Sequence, residues 1–546
     1  MPIGRISVVM LAAVVPLAAC GGGGGSLGTG PTVGGPASGM PPGTVATSPA
    51  PVRSASPAPG ASGSPAAPSM PGTIPSPIPS ASSASAFTPA YVEPPMSSAG
   101  TWIKDATGRT VIVHGLQLEH KTAPYHAIPA SFTDTDGALM EANGFTAVRL
   151  GWSWSGLEPA PGHYDMGYLA ELMREGDILA RHHILTQLEA HQDIYSEAVD
   201  GNGFPNWATY TDGIPALPAG SSSVQFAPPA TIAFDNLYAN HNGVADAFYN
   251  AWTVMATGFA SNPQMLGYDM YNEPNPGSAA SMCTNPAGCP TFDMNTLMPF
   301  QNGIAAAIRK ADRTNIVFYE PDIEFDGAAK SYLTKPPASS GPSGFVFHDY
   351  CTQTAGFVNR ESQAPAYASC GPEDQLQQQN VASQQAVMNV PAILNEFGAT
   401  RDLPSIRRVI DDADSHAQGW LYWAYKAWQD IPGYDGDGSL FANSDDNSTL
   451  RTDLLGVVSE TYPMATAGTP GPYAFDPATR IFTYTYAPDP SVRTPTLIFV
   501  PTALHYAKGY TVTVTGANVI SPANSNYLEL RAVDGATSVA LTVRPT

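Results

Sequence analysis

The chain has 546 residues and a formal net charge of −22, and much of its 53 Pro and 51 Gly falls in one N-terminal stretch, so the whole-chain composition does not describe the folded part. The acidic balance, with no basic run after the first residues, argues against a nucleic-acid partner and speaks for solubility rather than for a particular function.

In residues 1–20, Arg5 precedes an apolar stretch too short to span a bilayer, and the segment closes on Leu17-Ala18-Ala19-Cys20. This reads as a secretory signal. A cysteine directly after small residues resembles a bacterial lipobox, which implies that Cys20 becomes the lipid-modified first residue of an exported, cell-surface lipoprotein held to a membrane by acyl chains. An ordinary signal peptide with an incidental cysteine is the alternative. Residues 21–95 are almost entirely Gly, Ala, Ser, Pro and Thr and cannot bury a core, so they are expected to form a disordered tether.

From 96 to 462, eight apolar segments of strand character occur at 111–116, 147–151, 183–189, 266–271, 316–319, 345–348, 392–395 and 419–423. Amphipathic helices are predicted between several of them, at 134–143, 166–181, 244–261, 296–312 and 404–416. Eight such alternations predict an α/β fold, a (β/α)8 TIM barrel with its active site at the carboxyl ends of the strands. Residues 463–546 change to short alternating runs broken by Pro, Gly and Asn, the pattern of a small C-terminal all-β sandwich. Its sequence carries no cluster of reactive residues, so it is expected to pack against the barrel, with carbohydrate or surface binding as the alternative. The cysteines after Cys20 are Cys283, Cys289, Cys351 and Cys370. An even number in an exported chain predicts two disulfides, and local pairing, 283 with 289 and 351 with 370, closes a loop between regular elements in each case. A zinc site is the alternative, without the usual ligand spacing.

Two runs within the barrel repeat one pattern. Leu266-Gly-Tyr-Asp-Met-Tyr-Asn272-Glu273-Pro274 and Pro391-Ala-Ile-Leu-Asn395-Glu396-Phe397-Gly398 each end an apolar strand in Asn-Glu before a residue that stops regular structure. Two carboxylates facing one cleft are what glycosidic bond cleavage requires. Other strand ends carry Arg149, His191, His348, Tyr350 and Trp423. Each alone reads as a packing residue; in series with two Asn-Glu pairs they read as a site. Glu320, before Pro321, is a rival carboxylate without an Asn neighbour and is expected in a supporting or subsite role. Glu158 is expected to brace the loop after strand two, and Trp152 and Trp154 to lie in the core.

This ordered set resembles glycoside hydrolase family 5, in which the acid/base follows strand four and the nucleophile follows strand seven. Within it the likeness is to endoglycoceramidases and related glycosylceramide hydrolases, carried by His114-Gly-Leu-Gln-Leu-Glu-His-Lys121-Thr-Ala-Pro-Tyr125, by Trp152-Ser-Trp154-Ser-Gly-Leu-Glu158-Pro, by His191-Gln-Asp193-Ile-Tyr-Ser196, and by Asn202-Gly-Phe-Pro-Asn-Trp207-Ala. One departure stands out: Glu119-His120 occupy positions where small or amide residues are expected.

The resemblance implies a retaining β-glycosidase that cuts between the glycan and the lipid of a glycosphingolipid, working as a monomer without metal or cofactor. Glu273 would be the acid/base, with a raised pKa, and Glu396 the ionised nucleophile. Arg149 would hold Glu396 charged, and Tyr350 would hydrogen-bond the same carboxylate or the glycosyl oxygen. Asn272 would donate to the sugar 2-hydroxyl. His191 and His348 would bind hydroxyls or orient the carboxylates. Trp423 would be the sugar platform, with Lys121, Asp193 and Trp207 in the outer glycone subsites. An endo-β-1,4-glucanase and a non-catalytic glycan-binding lipoprotein are the alternatives. Retention requires carboxyl groups about 5–5.5 Å apart, against roughly 6.5–9.5 Å for inversion.

Overall fold

The computed structural model describes residues 87–217, 226–283, 285–351, 368–428 and 438–546. The predicted signal, Cys20 and the tether as far as residue 86 lie outside them. No helix among the described residues is long and apolar enough to cross a membrane.

The chain first lays down three short strands, β1 (Ser97–Ala99), β2 (Trp102–Lys104) and β3 (Thr110–Val111), and then the barrel. The barrel strands are β4 (His114–His120), β5 (Ala147–Trp152), β6 (Leu185–Ala190), β7 (Met265–Asp269), β8 (Ile316–Tyr319), β9 (Ser343–Asp349), β10 (Ala392–Phe397) and β11 (Gly419–Trp428). They pair in parallel and close in the order β10-β11-β4-β5-β6-β7-β8-β9. Period 2 along each strand explains the arrangement. Leu116, Leu118, Val148, Leu150 and Leu188 join the main apolar core. Their alternates Gln117, Arg149 and Asp269 point inward and hydrogen-bond across the interior. The predicted helices are present with ends moved by a few residues. Met166–Arg181 starts at Asp165 and Leu403–Ser415 at Asp402, whose carboxylates accept from backbone N–H groups of the first turn.

Three boundaries differ from the sequence reading. The predicted strand 111–116 is two strands of two different sheets, since Val111 ends β3 and His114 begins β4. The segment around His183 is a turn, His183 having φ 56°, so the third barrel strand starts at Leu185. The tether also ends earlier than residue 95. Val92 and Met96 are buried. Arg109 donates to the carbonyls of Ala90 and Tyr91, and the Ala90 N–H donates to Glu529 at 2.7 Å. Backbone groups share this anchoring with the side chains of Tyr91, Val92 and Met96, and the Pro-rich stretch around them conceals it.

After the barrel come β12 (Tyr462–Thr466), β13 (Gly468–Asp476), β14 (Ile481–Pro488), β15 (Thr496–Phe499), β16 (Tyr510–Thr515), β17 (Ala517–Val519), β18 (Tyr527–Ala532) and β19 (Val539–Pro545). They form two antiparallel sheets, but not alone. One sheet runs β1-β2-β3-β12-β15-β18-β17 and the other β13-β14-β19-β16. Thr110 pairs with Thr466 and Val111 with Ala465, so strands preceding the barrel complete a sheet assigned by sequence to residues 463–546. In β14, Phe482, Tyr484 and Tyr486 point inward while Thr483 and Thr485 face out. One apolar cluster joins these rings, Leu497, Leu541 and Val543 to Leu185, Leu266, Ile316 and Ile393, at the amino ends of the barrel strands. The sandwich is the barrel's floor.

A buried polar knot lies in that junction. The His114 ring is stacked between Tyr462 at 3.6 Å and Trp420 at 4.1 Å, and its Nε2 pairs with the Tyr473 hydroxyl at 2.9 Å. Asp414 is 3.7 Å and Glu460 4.0 Å from the ring nitrogens, and Arg407 bridges both carboxylates. Burial pushes His114 well below, and Asp414 well above, their ordinary values. The structure joins Cys283 to Cys289 and Cys351 to Cys370, the local pairing.

Candidate active site

Arg149, wholly buried on β5, organises the opposite end of the barrel. Its Nε donates to Asp269 (2.8 Å), its Nη1 to Glu396 (2.8 Å) and its Nη2 to Asn272 Oδ1 (2.8 Å). Burial opposes its charge, but Glu189, Asp269, Glu396 and Glu320 around it raise its pKa well above the ordinary value. The guanidinium thus fixes both Asn-Glu runs at once.

Glu396 lies within β10 and faces two donors, Arg149 on Oε2 and the Tyr350 hydroxyl on Oε1 at 2.9 Å. Glu273 follows β7 with φ 43°, a left-handed conformation that a residue with a Cβ adopts at a cost of about 1 kcal/mol or more. Neighbouring side chains hold that turn. The Glu273 N–H donates to Glu320 Oε1 at 2.6 Å, and Gln192 Nε2 donates to the carbonyls of Asn272 (2.8 Å) and Glu273 (3.3 Å). Glu320 is buried and clamps the loop carrying Glu273, and burial, with Asp269 nearby, raises its pKa well above normal.

The Glu273 carboxyl reaches His348 Nδ1 at 3.2 Å. Burial, followed by the negative charge of Asp193, raises it to about 7. Burial lowers His348 to about 4, so the ring is neutral near pH 7 and can accept a proton bond from a protonated Glu273. One oxygen of Glu273, one of Glu396 and a ring nitrogen of His348 all lie within 4.8 Å of one another. So close an approach suits the short carboxyl separation of a retaining pair better than the wider one that holds the water of an inverting mechanism.

Asn272 is more committed than the sequence implied. Its Oδ1 takes Arg149, and one Nδ2 hydrogen goes to the Gln192 carbonyl at 3.0 Å, which leaves the second for a sugar. Asn395 has a role the sequence did not reveal: its Nδ2 donates to Asp269 Oδ2 at 2.7 Å, beside the Arg149 bond.

A second group stands alongside. Lys121 Nζ is 2.9 Å from Asp193 and 4.3 Å from the centre of the Trp423 ring. His191 stacks near Trp423, with centroids 5.7 Å apart, and lies between Glu189 (3.1 Å) and Asp193 (3.5 Å). Burial disfavours its charge, but Glu189, Glu119 and Asp193 raise its pKa well above the ordinary value. His191 is thus an orienting residue more than a hydroxyl binder. The indole N–H of Trp207 donates to the Glu158 carbonyl at 2.8 Å and its ring packs edge-on against Trp154. Glu158 braces this loop as expected, accepting from Trp154 Nε1 and the Gly162 N–H at 2.7 Å each. The residues missed by the sequence reading, Gln117, Glu189, Gln192 and Asp269, are inward members of the strands or their immediate continuation. Their signal was polar residues alternating with apolar ones in segments treated as uniformly apolar.

A paired-carboxylate cleft on a parallel barrel is matched by comparison with known proteins. The model for Cellulase (glycosyl hydrolase family 5) matches residues 105–429, and that for the glycoside hydrolase family 5 C-terminal domain matches 461–544. The chain belongs to glycosyl hydrolase family 5. This family 5 enzyme, an O-glycosyl hydrolase, is 31% identical over 431 residues to Endoglycoceramidase I of Rhodococcus hoagii (strain 103S), covering 78% of this chain and 83% of that one. Among solved structures it resembles Endo-glycoceramidase II from Rhodococcus sp. in its Ganglioside GM3 complex, with TM-score 0.69 and 27% identity over 82% of this chain and 100% of that one. The lactosyl-enzyme intermediate of the same protein matches with TM-score 0.68 and 27% identity over 84% of this chain and 100% of that one.

Proposed function

We propose that this hydrolase cleaves the β-glycosidic bond between glycan and ceramide in glycosphingolipids with retention of configuration. The observation that carries this reading is the pair of carboxylates, Glu273 and Glu396, with oxygens within 4.8 Å, in a chain similar to an endoglycoceramidase caught as a lactosyl-enzyme.

Glu396 attacks the anomeric carbon as the bond to the ceramide oxygen breaks, and Glu273 gives that oxygen its proton. In the second half-reaction Glu273 takes a proton from water, which attacks the same carbon and releases the oligosaccharide and Glu396. Arg149 and Tyr350 hold the nucleophile, and Asn272 offers its remaining N–H to the sugar 2-hydroxyl. Neutral His348 accepts a hydrogen bond from protonated Glu273 and so aims the carboxyl, while the proton itself goes to the ceramide oxygen. Trp423 supports the sugar ring, and Lys121 and Asp193 take hydroxyls further along the glycan, with His191 orienting Asp193. Trp207 shapes the wall of that side through Trp154. The enzyme acts as a monomer, exported and anchored through a lipid on Cys20, which suits a membrane-derived substrate.

Product analysis on lactosylceramide, a ganglioside, glucosylceramide, a steryl glucoside and carboxymethylcellulose tests the reading. Intact oligosaccharide plus ceramide is expected. Depolymerised carboxymethylcellulose with untouched glycolipids would replace it with a glucanase.

A further inference from the structure

Glu119 is the residue that departs from the family resemblance, and the reaction as described does not use it. It sits two positions beyond Gln117 on β4, pointing into the mouth, and is 6% exposed. Its Oε2 is buried without a hydrogen-bond partner. The side chain lies across the backbone of β5 at Gly151, where a Cβ would collide with Glu119 Oε2 and stand 3.0 Å from Glu189 Oε2. Gly151 is what allows the two carboxyls to meet. One oxygen of each and a ring nitrogen of His191 fall within 4.8 Å of one another.

We propose that Glu119 is a positioning residue for the glycone: as the neutral partner of the Glu119–Glu189 carboxyl pair it keeps His191 clamped against Asp193, and so sets the Lys121–Asp193 pair that meets the sugar.

Two carboxyls this close cannot both carry full charge unless cations compensate them. The compensation is lopsided. Glu189 has Arg149 at 3.6 Å and His191 at 3.1 Å, and these outweigh its burial and lower its pKa. Glu119 has no such contact; burial, only partly offset by His191, raises it to about 7. The groups facing the pair are His191 after β6, Asp193 beyond it, Lys121 after β4, Arg149 on β5, Asp269 on β7, His348 on β9, and Tyr168 and Glu175 on the helix Met166–Arg181. With Glu119 neutral, Glu189, Asp193, His191 and Lys121 balance in charge. Ionised Glu119 adds an uncompensated negative charge beside His191 and draws the imidazolium away from Asp193.

This rests on the proposed hydrolysis but not on ceramide as the leaving group, so the test uses p-nitrophenyl β-lactoside. For the wild type, KM is expected to rise about fivefold between about pH 6 and about pH 8, with the effect in KM and not in kcat. Glu119→Gln, which preserves the neutral shape, is expected to keep the low-pH KM and kcat within about twofold and to lose that rise. A Glu119→Gln enzyme whose KM follows pH as the wild type does, or whose loss falls in kcat alone, overturns the proposal. A catalysis-independent measurement separates failure of the hydrolase reading: infrared difference spectra between the same two pH values, to which Glu273 also contributes, are expected to lose part of their protonated-carboxyl intensity in Glu119→Gln, and intensity unchanged in the variant overturns the proposal even if no glycoside is turned over.

Discussion

At the mouth of the barrel His348 meets Glu273 and Glu396, and Arg149 pairs with Glu396; at the floor His114 meets Asp414 and Glu460, and Arg407 pairs with both. Each set is a histidine, two carboxylates and an arginine at similar distances, yet the surroundings differ. At the mouth Glu273 keeps 18% of its side chain exposed. At the floor the histidine and both acids are at most 2% exposed, beneath the rings of Tyr462, Trp420 and Tyr473. A histidine among carboxylates becomes a reactive site only where a substrate can reach it; enclosed by aromatic rings, the same set is a joint between domains.

Three measurements would break or sharpen this contrast. Glu396→Gln should lower kcat on the order of 10⁴-fold or more while leaving the thermal midpoint unchanged, because it removes the attacking group and little packing. At the floor the expectation is reversed. Arg407→Met leaves Glu460 and Asp414 buried without their cation, so chemical denaturation should show a loss of about 3–5 kcal/mol, with turnover per folded molecule within about twofold of the wild type. A kinetic loss without a stability loss there would mean that the floor communicates with the mouth. The smallest effect is in pH. Glu273 must be protonated to release a lipid alkoxide, and burial raises its pKa to about 7. With glycolipid substrate, kcat should therefore fall about tenfold per pH unit above that value, and the limb should vanish in Glu273→Gln.

Much of the mouth was legible because strand ends announce themselves. The Asn-Glu pairs and Tyr350 sit where apolar runs stop, and their roles follow from which strand they end; Arg149, expected at a strand end, stands inside β5 with its side chain turned inward. The interior layer was harder to read. Glu189 and Asp269 stand inside runs such as Leu185-Thr-Gln-Leu-Glu189, and only the closed barrel shows that alternate residues converge on Arg149. The motif of Trp207 suggests a subsite aromatic, and only the structure shows that Trp154 and the Glu158 carbonyl hold its ring in place. The floor was least legible. β1 to β3 are two or three residues each, too short for a periodic signal, and what ties them into the sheet is the pairing of Val111 on β3 with Ala465 on β12, far along the chain.

That pairing has a consequence for how the molecule comes into being. Because β3 joins β12, the small β1-β2-β3 ribbon at the start of the folded body has its outer edge on β3 unpaired until all eight barrel strands have been made. The chain is sewn shut at its base by its last segment, so cutting after residue 460 would strip the barrel of its floor and strand the beginning of the chain as well. The region matched as a C-terminal domain is therefore not a cassette that could be lifted out intact, and assembly of the base is a late, long-range closure.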